Sequence, residues 1–184
     1  GVSASMQNPS ASVVTAYPEG TTKREALRLL AQACCCAVWV DRDGILQIQP
    51  LNIGTPADEL SADRMPSMGG ISVSEPVDCV TLTVRNEYAD TEVVYTAGSG
   101  KRVKNIDNPC VAPANGQAVA DWLLAQYNRR VRYDKPNRCN PAVEVGDTLT
   151  VYDAYGENRN AAVTEIAVSF DGGGLESKIK AVGE

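Results

Sequence analysis

The sequence predicts an α+β protein: two small antiparallel, β-rich, barrel-like lobes, each carrying one helix. Three observations predict it. Two stretches, near residues 22 and 115, join a helix-cap signal to apolar residues at helical spacing. Most of the remaining chain alternates apolar and polar residues in short runs closed by Gly, Pro, Asn or Asp. In each half a helix feeds directly into β-structure, a similarity of pattern rather than of residues. Tight turns between the runs favour antiparallel pairing. The expected organisation is a linker or disordered start over about 1–12, a first lobe over about 13–100 and a second over about 101–184.

Val13 to Tyr17 reads as a short strand, closed by Pro18 and Gly20. Thr22-Lys23-Arg24-Glu25 is a capping box, in which the hydroxyl accepts an amide N–H three residues on and Glu25 reaches back. Ala26, Leu27, Leu30, Ala33 and Cys34 continue on one stripe, so a helix is expected over about 22–34. Cys36 to Val40 and Ile45 to Ile48 then form a hairpin about Asp43-Gly44, where glycine supplies positive φ. Residues 52–70 read as loop, with a helical turn between Asp58 and Met65. Val80 to Val84 and Thr91 to Thr96 alternate as half-buried strands. Asn115 is the expected cap of a second helix over about 115–129, with Val119, Trp122, Leu123 and Tyr127 on its inner stripe. Val131 to Tyr133, Leu149 to Val151, Ala162 to Phe170 and Leu175 to Val182 complete the strands, with turns at Val145-Gly146-Asp147 and Asp171 to Gly174.

Composition narrows the chemistry. The 184 residues are 43% hydrophobic and 22% charged, the balance of an ordinary globular chain rather than a disordered or fibrous one. Seventeen basic against twenty-three acidic residues give a net charge of −6, which opposes whole-body attraction to nucleic acid or an anionic membrane. There is no histidine, which removes Ser-His-Asp and Cys-His nucleophiles and His-ligated zinc. No run approaches the roughly 18 apolar residues of a membrane helix. The start, Gly1-Val2-Ser3-Ala4-Ser5, has no signal-peptide character and no initiator Met. Gly1 reads as a tag scar, and the chain as a fragment with a neighbouring domain to be expected.

Six cysteines, Cys34, Cys35, Cys36, Cys79, Cys110 and Cys139, are spaced for neither a metal site nor an easy set of disulfides. They read as small buried hydrophobes in a chain made in a reducing cytoplasm. Gly172-Gly173-Gly174 has no Lys-Ser/Thr behind it and reads as a hairpin turn, not a phosphate loop. Arg129, Arg130, Arg132, Lys135 and Arg138, with Tyr127 and Tyr133 among them, form a basic stretch suited to an acidic partner protein more than to nucleic acid. Lys101, Arg102 and Lys104 form a second cluster. Asp121, Glu144, Asp147, Asp153, Glu157 and Asp171 are scattered acids, and no motif selects a glycosidase-like pair. Asn105-Ile106-Asp107-Asn108 opens like a calcium loop and stops at Pro109. Trp39 and Trp122 are expected in the core.

Two sets of segments, taken in order, resemble a known family. The first is Tyr17-Pro18, Thr21 to Leu27, the cysteine-rich helix end, and Val40 to Leu46. The second is Asn108-Pro109, the Ala118 to Tyr127 helix, Asn140 to Asp147, and Gly173-Gly174-Leu175. Together they resemble the tail hub, or baseplate-associated, proteins of phages and prophages, in the part that forms the tail-tip ring. The resemblance covers most of residues 13–182, least over 52–100.

It implies a structural subunit in a virion tail, assembled in the bacterial cytoplasm. Its expected partners are tail tube, spike, fibre or lysin modules, in a ring of identical copies that could be monomeric in isolation. Neither nucleic acid binding nor membrane insertion is implied. It carries over no catalytic, cofactor-binding or metal-binding residue, so the chain is expected not to be an enzyme. Cys34 to Cys36 depart from the small apolar residues usual at that place. Two other readings stand beside it: a carbohydrate-binding or adhesive module of a surface protein, and a carboxylate-dependent hydrolase.

Overall fold

In a computed structural model the described residues are 3–6, 13, 17–86, 91–152, 157–170, 172 and 174–183. Along the chain they form β1 (Ala4–Met6), α1 (Lys23–Ala33), β2 (Ala37–Val40), β3 (Leu46–Gln49), β4 (Asp58–Leu60), β5 (Gly70–Val73), β6 (Cys79–Asn86), β7 (Thr91–Gly98), β8 (Val103–Asp107), α2 (Gly116–Tyr127), β9 (Val131–Arg138), β10 (Thr148–Tyr152), β11 (Asn158–Phe170) and β12 (Leu175–Gly183). Their contacts divide the chain into two compact units, residues 1–50 with 76–128 and residues 51–75 with 129–184.

The first unit holds both helices. At the start of α1 the Thr22 hydroxyl accepts the Glu25 N–H at 3.2 Å. The capping box is only half made, because the Glu25 carboxylate takes Arg28 at 2.9 Å instead of turning back. The helix ends in a Schellman turn: Cys36 N–H reaches the Ala31 carbonyl at 2.8 Å and Cys35 N–H the Gln32 carbonyl at 3.0 Å. Cys35 itself occupies the left-handed position usually given to glycine (φ 56°). Leu29 and Ala33 of α1 and Val119, Ala120 and Leu123 of α2 close over Val80, Leu82 and Val84 of β6 in one core. β6 is the centre of a sheet ordered β7-β6-β8.

Asn108 ties α1 to this sheet. Its amide donates to the Leu29 carbonyl at 3.0 Å and to Gln32 Oε1 at 3.2 Å, and its Oδ1 accepts from Cys110 N–H at 2.9 Å. β2 and β3 pair antiparallel about the Asp43-Gly44 turn. Asp41 closes that turn by accepting from the N–H groups of Asp43 and Ile45 at 3.0 and 2.8 Å. Part of the expected linker is a strand, since β1 pairs parallel with β3. Val13 makes an isolated bridge to Val111, and the rest of the strand expected there, residues 14–16, lies outside the described residues.

The second unit is a six-stranded sheet ordered β4-β10-β11-β12-β9-β5. Only β4 and β10 run parallel; the other neighbours are antiparallel. Both edge strands come from residues 51–75, so one excursion of the chain supplies both flanks. Period-two alternation puts Tyr133, Leu149, Val151, Ala161, Val163, Ile179 and Ala181 on one face, where Leu60 and Met65 join them in the core. Pro136 sits in β9 past the end of β5, where its missing N–H breaks no ladder bond to that neighbour.

The architecture is α+β, with three corrections to the expected detail. No described sheet closes into a barrel. Both α-helices lie in the first unit, because the α2 stripe packs on β6 and β7 rather than on the strands that follow it. A single cut near residue 100 does not match the units, because β4 and β5 find their partners far along the chain in β10 and β9. Locally, Asp58 to Leu60 is a strand rather than a helical turn, followed by a 3₁₀ turn at Ala62–Arg64. Asn115 makes no capping bond through its side chain.

Candidate assembly surface

The strongest surface feature arises where a sheet face outruns its cover. On the core face of the second unit, Ile179 pairs with Ile166, Ser177 with Val168 and Leu175 with Phe170. Ile179 is buried, but Val168 is 55%, Phe170 72% and Leu175 45% exposed. The apolar stripe that builds the core thus continues along the hairpin into solvent. Phe170, the one phenylalanine of the chain, stands at its tip. β10 pairs β11 as far as Ala162 and Val163 bonds the backbone of Gly146 and Asp147, so from Thr164 onward the outer edge of β11 has no neighbouring strand among the described residues. On the sheet's far flank the edge strand β5 exposes Ile71 and Val73. Exposed apolar side chains beside an unpaired strand edge are the elements of strand addition by a partner.

The hairpin follows from local chemistry. Residues 166–170 keep the apolar alternation, and Gly172 (φ 89°) supplies the turn expected of the glycine run. Asp171 and Gly173 lie outside the described residues.

The basic stretch is not one surface. In β9 alternate residues face opposite ways, so Tyr133 and Lys135 are buried while Arg132 and Arg138 are exposed. Lys135 is 1% exposed and donates through Nζ to the Met68 carbonyl at 2.6 Å. Arg129 donates to the Leu51 carbonyl, and Arg130 to the Ser74 carbonyl at 2.8 Å, so both fasten the 51–75 segment. In the second cluster, Arg102 grips Asp78 at 2.6 and 3.1 Å, and Lys104 stands 5.8 Å from the centre of the Tyr127 ring. The Arg102 guanidinium and amide hold the Asp78 carboxyl down to about 2.

The acids that lie among the described residues are held by separate partners. Asp121 accepts from Gln117 at 3.0 Å in the first unit. Asp147 accepts the Glu144 N–H at 2.8 Å, stabilising the turn before β10, and Glu157 pairs with Arg159 at 2.7 Å. Asp153 lies outside the described residues. Asp41, Asp58, Asp63 and Asp78 are held below the usual carboxylate range, the reverse of what a general acid requires. Asn105 and Asp107 sit in β8, and Asn108 is the buried tie to α1, so the calcium-like opening is a strand end. Among the described residues no group of three or more acids and cysteines is arranged to hold a metal, and no helix is long and apolar enough to cross a membrane.

None of the six cysteines is in a disulfide, and Cys34, Cys36, Cys79 and Cys110 are buried. Burial raises the thiol pKa values of Cys34, Cys35 and Cys110, and that of Cys36 to about 11. They behave as packing residues. Trp122 packs against the first core half-buried, and Trp39 is half-buried on β2.

No protein-family model and no curated protein matches the sequence. Solved structures do. The chain is similar to a tail protein from Neisseria meningitidis MC58, at 15% identity over 92% of this chain and 57% of that one, with a TM-score of 0.66. It is similar to the 43 kDa tail protein of prophage MuSo2 from Shewanella oneidensis, at 17% identity over 99% and 61%, with a TM-score of 0.66. A chain in the virion of a native gene transfer agent particle matches at 16% identity over 91% of this chain and 40% of its own, with a TM-score of 0.67. The chain has the fold of phage and prophage tail proteins. It spans between 40% and 61% of the length of these three chains. The tail-protein fold embraces both units, since the matches cover 91% or more of the residues.

Proposed function

We propose that this protein is a structural component of a phage or prophage tail, placed at the tail tip or baseplate hub and working through protein contacts rather than catalysis. The observation that carries the reading is the fold shared, over nearly the whole chain, with two tail proteins and a chain of a gene transfer agent virion. The open hairpin stripe of Val168, Phe170 and Leu175 supports it, because exposed apolar area of this kind gains when a partner covers it. The partners in this reading are tube, spike, fibre or lysin modules and further copies of the chain in a ring, within a virion tail assembled in the host cytoplasm. Deleting the coding sequence from an inducible prophage and viewing the particles by electron microscopy tests it. Tails that abort or lack a tip are expected. Complete, infective tails from the deletion strain would refute the reading.

A further inference from the structure

Among the described residues, the second sheet leaves bare the outer edge of β5 on one flank and the last residues of β11 on the other, and these two edges match. Ile71 of β5 stands opposite Tyr133 and Val73 opposite Val131, so both lie on the core face. Ser74 N–H reaches the Arg130 carbonyl at 3.0 Å, which fixes the phase of the ladder. Gly70 and Ser72 thus turn their backbone groups to β9, and Ile71 and Val73 turn theirs outward. On the other flank, Cys139 N–H reaches the Leu175 carbonyl at 3.2 Å, so the backbone groups of Leu175 serve β9. Phe170, opposite Leu175, therefore points its own N–H and C=O away from β12, and Val168 and Ile166 follow at period two. On both edges the outward backbone groups belong to apolar residues whose side chains share the core face.

Strand edges that must stay single are blunted by charge, proline or twist. β4 is blunted in this way, by Asp58 and Glu59. Gly70 to Val73 carry no charge, and from Thr164 to Phe170 the one charge, Glu165, is taken by Lys180 at 2.9 Å. Strand direction then selects the occupant. β9 and β11 both run antiparallel to β12, and β5 runs antiparallel to β9, so β5 is antiparallel to β11. A second copy set beside the first in the same orientation, with core faces level, brings its β5 antiparallel to the free edge of β11. Its Ile71 and Val73 then stand beside Ile166, Val168 and Phe170. Ser72, Arg132, Val182 and Ala162 form one row across the sheet, so the added copy is displaced from the row of Ala162 to that of Val168. That is roughly 20 Å at about 3.4 Å per residue. The displacement carries β5 past β10, whose pairing ends at Ala162, and it is the kind of stagger a closing sheet requires. Two β11 edges paired across a two-fold axis would leave β5 bare, whereas one repeated head-to-tail contact covers both edges. We infer that copies of this chain join head to tail through their second units, β5 of one copy adding to residues 164–170 of the next.

The inference deepens the ring of the proposed function and rests on that reading for its setting. Its test uses the purified full chain and no particles, so its failure and the failure of the tail reading are separate results. Analytical ultracentrifugation of the parent from about 10 µM to about 1 mM is expected to show the mass rising above the 19.6 kDa monomer. Val73→Lys charges one edge and Val168→Lys the other. These side chains are 61% and 55% exposed, so the thermal midpoints are expected to hold. Glu takes the place of Lys at either position if a midpoint falls. Each variant alone is expected to associate at least about ten-fold more weakly than the parent. Mixed in equal amounts they are expected to form a heterodimer and nothing larger, because the intact β5 of one meets the intact β11 of the other. The inference is overturned if the parent stays monomeric to about 1 mM, if Val73→Lys associates as the parent does (the result that β11 pairing with β11 requires), or if the mixture stays monomeric.

Discussion

Gly116→Ala separates packing from propensity in the first unit. Gly116 has helical backbone angles (φ −55°, ψ −44°), so its conformation does not require glycine. Helix propensity alone favours alanine there by up to about 1 kcal/mol, since Gly116 is the first residue of α2. The neighbourhood argues the other way. A Cβ at this position would stand 2.1 to 2.4 Å from three ring atoms of Tyr95. That ring is held: it packs against the core of the first unit, and its hydroxyl donates to the Pro113 carbonyl at 2.7 Å. Forcing it aside costs about 1–3 kcal/mol in overpacking and about 1 kcal/mol for the hydrogen bond. After the propensity gain, a net destabilisation of about 1–3 kcal/mol remains. Urea unfolding of the parent, Gly116→Ala, Tyr95→Leu and the double variant reads it out. In the Tyr95→Leu background the ring is gone, and Gly116→Ala should change sign, stabilising by up to about 1 kcal/mol. Equal effects in the two backgrounds, or a stabilised single variant, would refute the packing argument.

Three further outcomes are expected. Cys35→Gly should be more stable than Cys35→Ala by about 1 kcal/mol in chemical denaturation, because only glycine relieves the left-handed backbone at φ 56°. For Asp78, whose folded pKa is lowered from 3.8 to about 2, the contribution of the Arg102 contact is whole above about pH 4 and fades as pH falls towards 2. Urea midpoints of the parent and Arg102→Gln should therefore differ at pH 6 and converge near about pH 2; a gap constant across that range would contradict the assignment. Phe170→Asp should leave the thermal midpoint almost unmoved, as its side chain is 72% exposed, yet lower incorporation of the protein into tails in a complemented deletion strain.

The sequence disclosed what is settled within a few residues. Thr22 caps its own third neighbour, Gly44 turns its own hairpin, and Gly172 supplies the positive φ in the turn after Phe170. It hid what depends on distant partners. β1, β4, β5 and β8 are runs of three to five residues, too short for a periodic signal. β4 and β5 exist because Asp58 to Leu60 finds Leu149 to Val151 and Gly70 to Val73 finds residues 131–134. From the sequence Asn108 and Lys135 look like ordinary solvent-facing residues, yet both are buried. Strand alternation through Tyr133, Lys135 and Asn137 was a readable sign that the basic stretch has two faces. The run Ile166, Val168, Phe170 was likewise a readable sign of an apolar stripe continuing to the hairpin tip.

The central claim is that the molecule is a part of a tail. Particles from an induced host, banded by density and probed with an antibody to this chain, address it most directly. The account predicts that the protein travels with assembled tails at a small fixed copy number per particle and stays with them through a high-salt wash. Intact tails in the same gradient with the protein left wholly in the soluble fraction would contradict it.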